Sequence, residues 1–126
     1  MIERYLKTSD FSSTEEFAKG FHIQVPDNFN FAYDIVDEWA TQAPNKRALC
    51  WVNEHGRHHD FTFGEIKQLS DAAASFFQSI GIGRGDMVML MLKRRYEFWI
   101  AILGLHKIGA VAIPATHLLT PKDIEY

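Results

Sequence analysis

Apolar residues recur at helical spacing at two places in the first two-thirds of the chain. Phe31, Ile35 and Trp39 fall at i, i+4 and i+8 behind Asn30, whose side chain suits a helix N-cap, and Pro44 follows the stripe. Asp34, Asp37 and Glu38 fill the other face, which predicts a solvated acidic side. A longer stripe, Ile66, Leu69, Ala73, Phe76, Phe77 and Ile80, begins behind Thr62 and Glu65 at capping-box spacing and ends at Gly81, a C-cap residue type. Between the two stripes, "RALCWV" and "HHDFTF" flank the turn-rich "NEHGR", the pattern of a β-hairpin with a longer loop. Upstream, Ser12 or Ser13 with Glu15 or Glu16 predicts a short capped helix. "HIQVPDNFN" predicts an extended connector, since Pro26 lacks a donor and restricts the residue before it.

The pattern changes after Gly85. "DMVMLML" is apolar on both faces of an extended chain, as in a strand buried within a parallel sheet. "YEFWIAILGLHKIG" is helical, apolar on most sides and stopped by Gly109, and "AVAIP" is a second buried strand. Strand, helix and strand in about thirty residues make a βαβ unit, with parallel neighbours at 87–92 and 110–114 joined by a helix over 96–108. The fold class is therefore α/β.

Composition narrows the class further. The 126 residues suffice for one compact domain, and a hydrophobic fraction of 47% supplies a core rather than a disordered chain. A net charge of −3 argues against nucleic acid or an anionic membrane surface as partner. Residues 98–115 are the most apolar region, but His106, Lys107 and Pro114 interrupt them, so no membrane span is expected. A single cysteine, Cys50, forms no internal disulfide and reads as a buried thiol. The polar, acidic N-terminus has no apolar signal core, and the cytoplasm is the expected location.

Candidate chemistry is sparse. "GIGRGD" follows a helix and precedes a strand, the reverse of a dinucleotide fingerprint, and reads as a turn. His55, His58 and His59 cluster at the hairpin, but adjacent strand residues point to opposite faces, which favours a solvated tip over a metal site. Lys93, Arg94 and Arg95 stand at the carboxyl end of the first buried strand, where open α/β sheets bind ligands. They read either as an anion contact or as a solvated basic turn. No catalytic group and no metal site is identified.

Taken in order, the motifs resemble those of AMP-forming acyl-CoA synthetases, in the medium-chain branch of the adenylate-forming superfamily. The matching positions are Thr62 to Glu65, Gly85-Asp86 with Val88, Glu97 with Phe98-Trp99, and Lys107 with Gly109-Ala110 and Pro114. Lys93 and Tyr96 stand where that family often has proline. The resemblance implies that residues 1–126 are a single N-terminal fragment of a larger AMP-binding domain, ending one turn into a new helix at Tyr126. It also implies a parent that uses a carboxylic acid, ATP, magnesium and CoA, in fatty acid metabolism. The phosphate loop, adenine-contacting segment, hinge acid and lid lysine of such enzymes have no match here, so the fragment alone is expected to bind no cofactor and to be inactive. Their acyl pocket is built mainly from later residues, so acyl-chain length is not encoded in this segment. A glutamine that contacts CoA in that branch aligns with Leu118, leaving only a backbone or van der Waals contact there. A free-standing nucleotide-binding domain and a self-associating module whose exposed sheet edge pairs with another copy are the competing readings.

Overall fold

The computed structural model describes residues 2–125, so Tyr126 lies outside the described residues. Helix α1 (Thr14–Gly20) begins as expected, with the Ser13 hydroxyl accepting from Glu16 N at 3.1 Å and the Glu16 carboxylate accepting from Ser12 N at 2.8 Å. It buries none of its residues, and Phe11, Phe17 and Phe21 cluster by ring contacts among themselves. The connector that follows is extended, held by a bridge between Leu6 and Ile23.

The next helix departs from the expected stripe. Its first part, Ala32–Asp37, winds as a π-helix before continuing as α2 (Glu38–Gln42). That wider winding turns Ala32, Val36, Asp37 and Ala40 inward, and leaves Phe31 on the surface. Asn30 does start the helix, with Oδ1 accepting from Ala32 N at 3.0 Å. Its Nδ2 donates to the His106 carbonyl at 2.7 Å, a long-range tie that periodicity does not show.

Strands β1 (Arg47–Val52) and β2 (His58–Thr62) form the expected antiparallel hairpin, and Thr62 with Glu65 closes a full capping box at the start of α3 (Phe63–Ser79). The buried face of α3 is Ile66, Ser70 and Ala74, while Leu69, Phe76 and Ile80 are exposed. Small residues face inward because α4 (Glu97–Ile108) packs closely there. A Cβ on Gly104 would lie 2.8 Å from Ala73 Cβ and 3.0 Å from Ala74 N.

Strands β3 (Met87–Leu90) and β4 (Val111–Pro114) are parallel, pairing Met87 with Val111 and Leu90 with Pro114, with α4 as the crossover. Gly109 ends α4 at φ 73°, the left-handed conformation its position requires. Two-sided burial of these strands does not hold. Val88, Leu90 and Ala112 join Leu105 and Ala110 in the core, whereas Met87, Met89, Val111 and Ile113 are exposed, Met87 by 75%. The reason is that the sheet has two strands, and α4 covers one face of it. A second cluster, of Ala32, Val36, Phe61, Ile66 and Leu103, is packed by Ile102, which also packs against the first.

Charge holds the helices together as well. The Lys107 ammonium, its side chain 1% exposed, donates to Asp37 Oδ1 at 2.9 Å and Asp71 Oδ1 at 2.6 Å. Lys67 completes the group, donating to Asp71 Oδ2 at 2.6 Å and lying 3.7 Å from Asp37 Oδ2. Asp37 is thus a buried counter-ion and not part of a solvated acidic face. Burial pushes the Asp71 carboxyl up, but hydrogen bonds from Lys107 and Lys67 outweigh it and hold its pKa below the ordinary value. The hydrogen bond to Asp71 raises Lys67.

Three outcomes follow for stability. Gly104→Ala should destabilise by about 1–3 kcal/mol in urea unfolding, because Ala73 and the α3 backbone have no room to yield. Lys107→Met should cost about 3 kcal/mol, the lower end for removing one partner of a buried pair, since Lys67 stays beside both carboxylates. The Asp71 contribution is complete above its unfolded pKa of about 3.9 and is lost as pH falls through the lower folded value. Unfolding midpoints measured down the acid range should fall more steeply for the native chain than for Asp71→Asn.

Candidate functional site: a basic cleft at the strand ends

Both parallel strands deliver their carboxyl ends to the same place, and the hairpin closes it from the side. The result is an open cleft of about 1230 Å3 between the hairpin and the segments that follow β3 and β4. Lys93, Arg94 and Arg95 come from the first segment, Thr116 and His117 from the second, and Trp51, His55 and Arg57 from the hairpin. The basic run therefore lies at the carboxyl end of β3, as its place in the sequence implied.

The run divides by role. Arg95 is bound to Glu97, with Nε donating to Oε2 at 3.1 Å and Nη2 to Oε1 at 2.5 Å. The Glu97 hydrogen bond raises Arg95, and Arg95 in return lowers Glu97. Lys93 and Arg94 carry side chains with no ion-pair or hydrogen-bond partner among the described residues. Their backbone is fixed all the same: the Trp51 indole N–H donates to the Arg94 carbonyl at 2.9 Å, and the Trp51 ring meets Tyr96 edge-on at 5.4 Å. Tyr96 docks the turn on the hairpin through Trp51 and Phe61.

The three histidines do not converge. His55 lies in the hairpin loop, 3.7 Å from Glu54, while the His59 ring packs on Phe61 at 4.2 Å and its neighbour His58 points the other way. Among the described residues no cluster of three or more His, Cys, Asp or Glu is placed to hold a metal. Cys50 is exposed, contrary to the buried thiol expected. Alternation along β1 turns it outward to Asp60, whose hydrogen bond raises the thiol. "GIGRGD" is a turn as expected, with Gly81 and Gly85 at positive φ and Asp86 Oδ2 accepting from Gly83 N at 2.8 Å. Leu118 is 75% exposed, its N–H donating to Thr116 Oγ1 at 3.2 Å; Thr116 and His117 beside it line the cleft. The residues missed in the sequence are Trp51, Arg57, Trp99 and His117, and the indole bond to Arg94 crosses 43 positions that no local pattern links.

Across residues 36–126 the chain matches the family model described as AMP-binding enzyme, and it belongs to that family. It is 36% identical over 123 residues to the human mitochondrial acyl-coenzyme A synthetase ACSM3, covering 93% of this chain and 21% of that protein. Identity to human mitochondrial ACSM2B is 39% over 111 residues, covering 83% of this chain and 19% of that one. The fold resembles the crystal structure of a fatty acid AMP ligase from Legionella pneumophila, with a TM-score of 0.67 and 26% identity over 75% of this chain and 16% of that one. A Mycobacterium tuberculosis fatty acyl CoA synthetase gives 0.66 and 26%, over 75% of this chain and 18% of that one. The chain spans about a fifth of the length of the curated relatives it matches.

One expectation is overturned by these relatives. They are named mitochondrial, which points to the mitochondrion and away from the cytoplasm. The physical reason is that an apolar signal core is not what mitochondrial import reads; it reads an amphipathic segment instead, so a polar N-terminus does not point to the cytoplasm.

Trp51→Phe should keep the ring contact with Tyr96 and lose the indole donor to Arg94. The expected cost is about 1 kcal/mol, with faster amide exchange at residues 93–96. Unchanged exchange there would show that the hairpin does not hold the turn.

Proposed function

We propose that residues 1–126 are a single N-terminal segment of the AMP-binding domain of an AMP-forming acyl-CoA synthetase. The observation that carries this reading is 36% identity to such synthetases across 93% of the chain. In that reaction a carboxylic acid attacks the α-phosphorus of ATP, pyrophosphate leaves, and the CoA thiol then displaces AMP from the acyl-adenylate to form a thioester. Turning a poor leaving group into AMP lowers the barrier to thioester formation, provided fixed donors hold the phosphate oxygens. ATP, CoA and a carboxylic acid are the substrates proposed for the whole protein, and magnesium its metal. Among the described residues no group of three or more His, Cys, Asp or Glu is placed to hold a metal ion, and no step is assigned to the metal on this segment.

The proposed role of the segment is to supply the βαβ scaffold and the basic cleft, with Leu118, which follows the cleft-lining Thr116 and His117 in the chain, as the proposed CoA contact. The segment by itself is expected to release no pyrophosphate with ATP, CoA and a panel of short to medium acids, because catalysis needs all its groups positioned together. Acid-dependent release from this chain would overturn that. In a longer protein carrying the segment, Leu118→Gln restores an amide and should tighten CoA binding a few-fold, the scale of one neutral hydrogen bond of about 0.5–1.5 kcal/mol. Unchanged or weaker CoA affinity would remove Leu118 from the site.

A second property is supported by the exposed face of the sheet. Met87, Met89, Val111 and Ile113 form an apolar patch, and both strands have an unpaired edge. Self-association of the segment through this face is proposed, and sedimentation at increasing concentration should show a dimer or larger species. A monomer at every concentration would contradict it.

A further inference from the structure

We propose that Lys93, Arg94 and Arg57 form a subsite for the phosphate groups of a nucleotide. The proposal rests on the ligase reading only for its choice of ligand, since ATP and CoA both carry an adenine nucleotide with several phosphates. Its placement rests on the cleft itself. The chain is acidic overall, at −3, yet the cleft collects Arg57, Lys93, Arg94, Arg95, His55 and His117. The carboxylate among its lining residues is Glu54, which lies 3.7 Å from His55. Arg95 is already satisfied by Glu97, whereas Lys93, Arg94 and Arg57 have side chains without partners among the described residues.

Arg95, Lys67 and Lys107 are ion-paired within the fold. Lys93 and Arg94 differ in having a backbone pinned by the Trp51 indole and side chains left to reach into a concave, partly apolar site. A fixed backbone lowers the ordering cost of binding. Arginine presents paired N–H donors that match phosphate oxygens, and lysine adds a point charge. Trp99, 53% exposed at the same cleft, offers a ring face on which a base can stack, which favours a nucleotide over free phosphate. The amino end of α4 follows the run directly and adds its positive dipole.

The test titrates the chain at low salt with CoA, ATP, pyrophosphate and inorganic phosphate, following tryptophan fluorescence and the amide resonances of residues 93–95. Contrary to the expectation that the segment alone binds no cofactor, the nucleotides should bind, more tightly than inorganic phosphate, and the affinity should fall with added salt. Binding by CoA alone, by ATP alone or by both identifies the source of the phosphate groups and supports the subsite in each case. The double variant Lys93→Ala/Arg94→Ala should weaken binding about tenfold or more, the scale of lost charge-assisted bonds. Its fold should hold, because Trp51 bonds the Arg94 carbonyl, which the substitution keeps. Lys7→Ala/Lys19→Ala removes the same charge from the N-terminal segment and should change affinity less than about twofold, the limit of a screened distant effect. No binding by any nucleotide, equal loss in both double variants, or inorganic phosphate binding as tightly as the nucleotides would each overturn the proposal. Failure here leaves the ligase reading in place, since pyrophosphate release by a longer protein tests that separately.

Discussion

The ammonium of Lys107 is the point on which the packing of the helices depends. It comes from the last turn of α4 and meets one carboxylate from the π-helical turn before α2 and another from α3, within hydrogen-bond distance of both. Burying one of these charges without the others would be costly, so the three helices are held in one arrangement or the cluster fails. Lys67 brings the group to two cations and two carboxylates, bonding the outer oxygen of Asp71 and standing 3.7 Å from that of Asp37. Beside it, Asn30 ties the start of the π-helical segment to the His106 carbonyl, and Tyr33 donates to the Lys107 carbonyl at 3.4 Å. The end of α4 is therefore fixed from two sides, and β4 begins three residues after Ile108.

That fixation carries through to the cleft. The close approach of α3 and α4 at Gly104 sets where α4 lies against the sheet, and Gly109 turns the chain back to run parallel to β3. Both strand ends then face the hairpin, which is locked to the turn before α4 by Trp51 and Tyr96. The cleft is thus a joint product of the βαβ crossover and the hairpin. Its basic side chains stay available because the backbone between them is already satisfied.

The apolar face of the sheet has a different status from the core. Met87 and Met89 pair across the ladder with Val111 and Ile113, so four apolar side chains stand together on one side. In the relatives this chain covers about a fifth of the length, and a two-stranded sheet is too small to bury both of its faces alone. The helix on the other face accounts for the stability of the pair.

The sequence alone determined the elements whose causes are local. Capping at Ser13, Asn30 and Thr62, the hairpin turn, the glycine stops at Gly81 and Gly109, and the strand–helix–strand order all depend on residues within a few positions of one another. The resemblance to acyl-CoA synthetases was legible for the same reason, being carried by short motifs in order. Tertiary structure decided which face of each helix turned inward, because a π-helical winding and the close contact at Gly104 favour small residues over the larger stripe. It also converted Asp37 from an expected solvent-facing acid into a buried counter-ion, since its partners lie 30 and 70 positions away. It divided the basic run, giving Arg95 to Glu97 and leaving Lys93 and Arg94 to the cleft. These outcomes depend on distances between residues remote in sequence, and only the packed chain sets those distances.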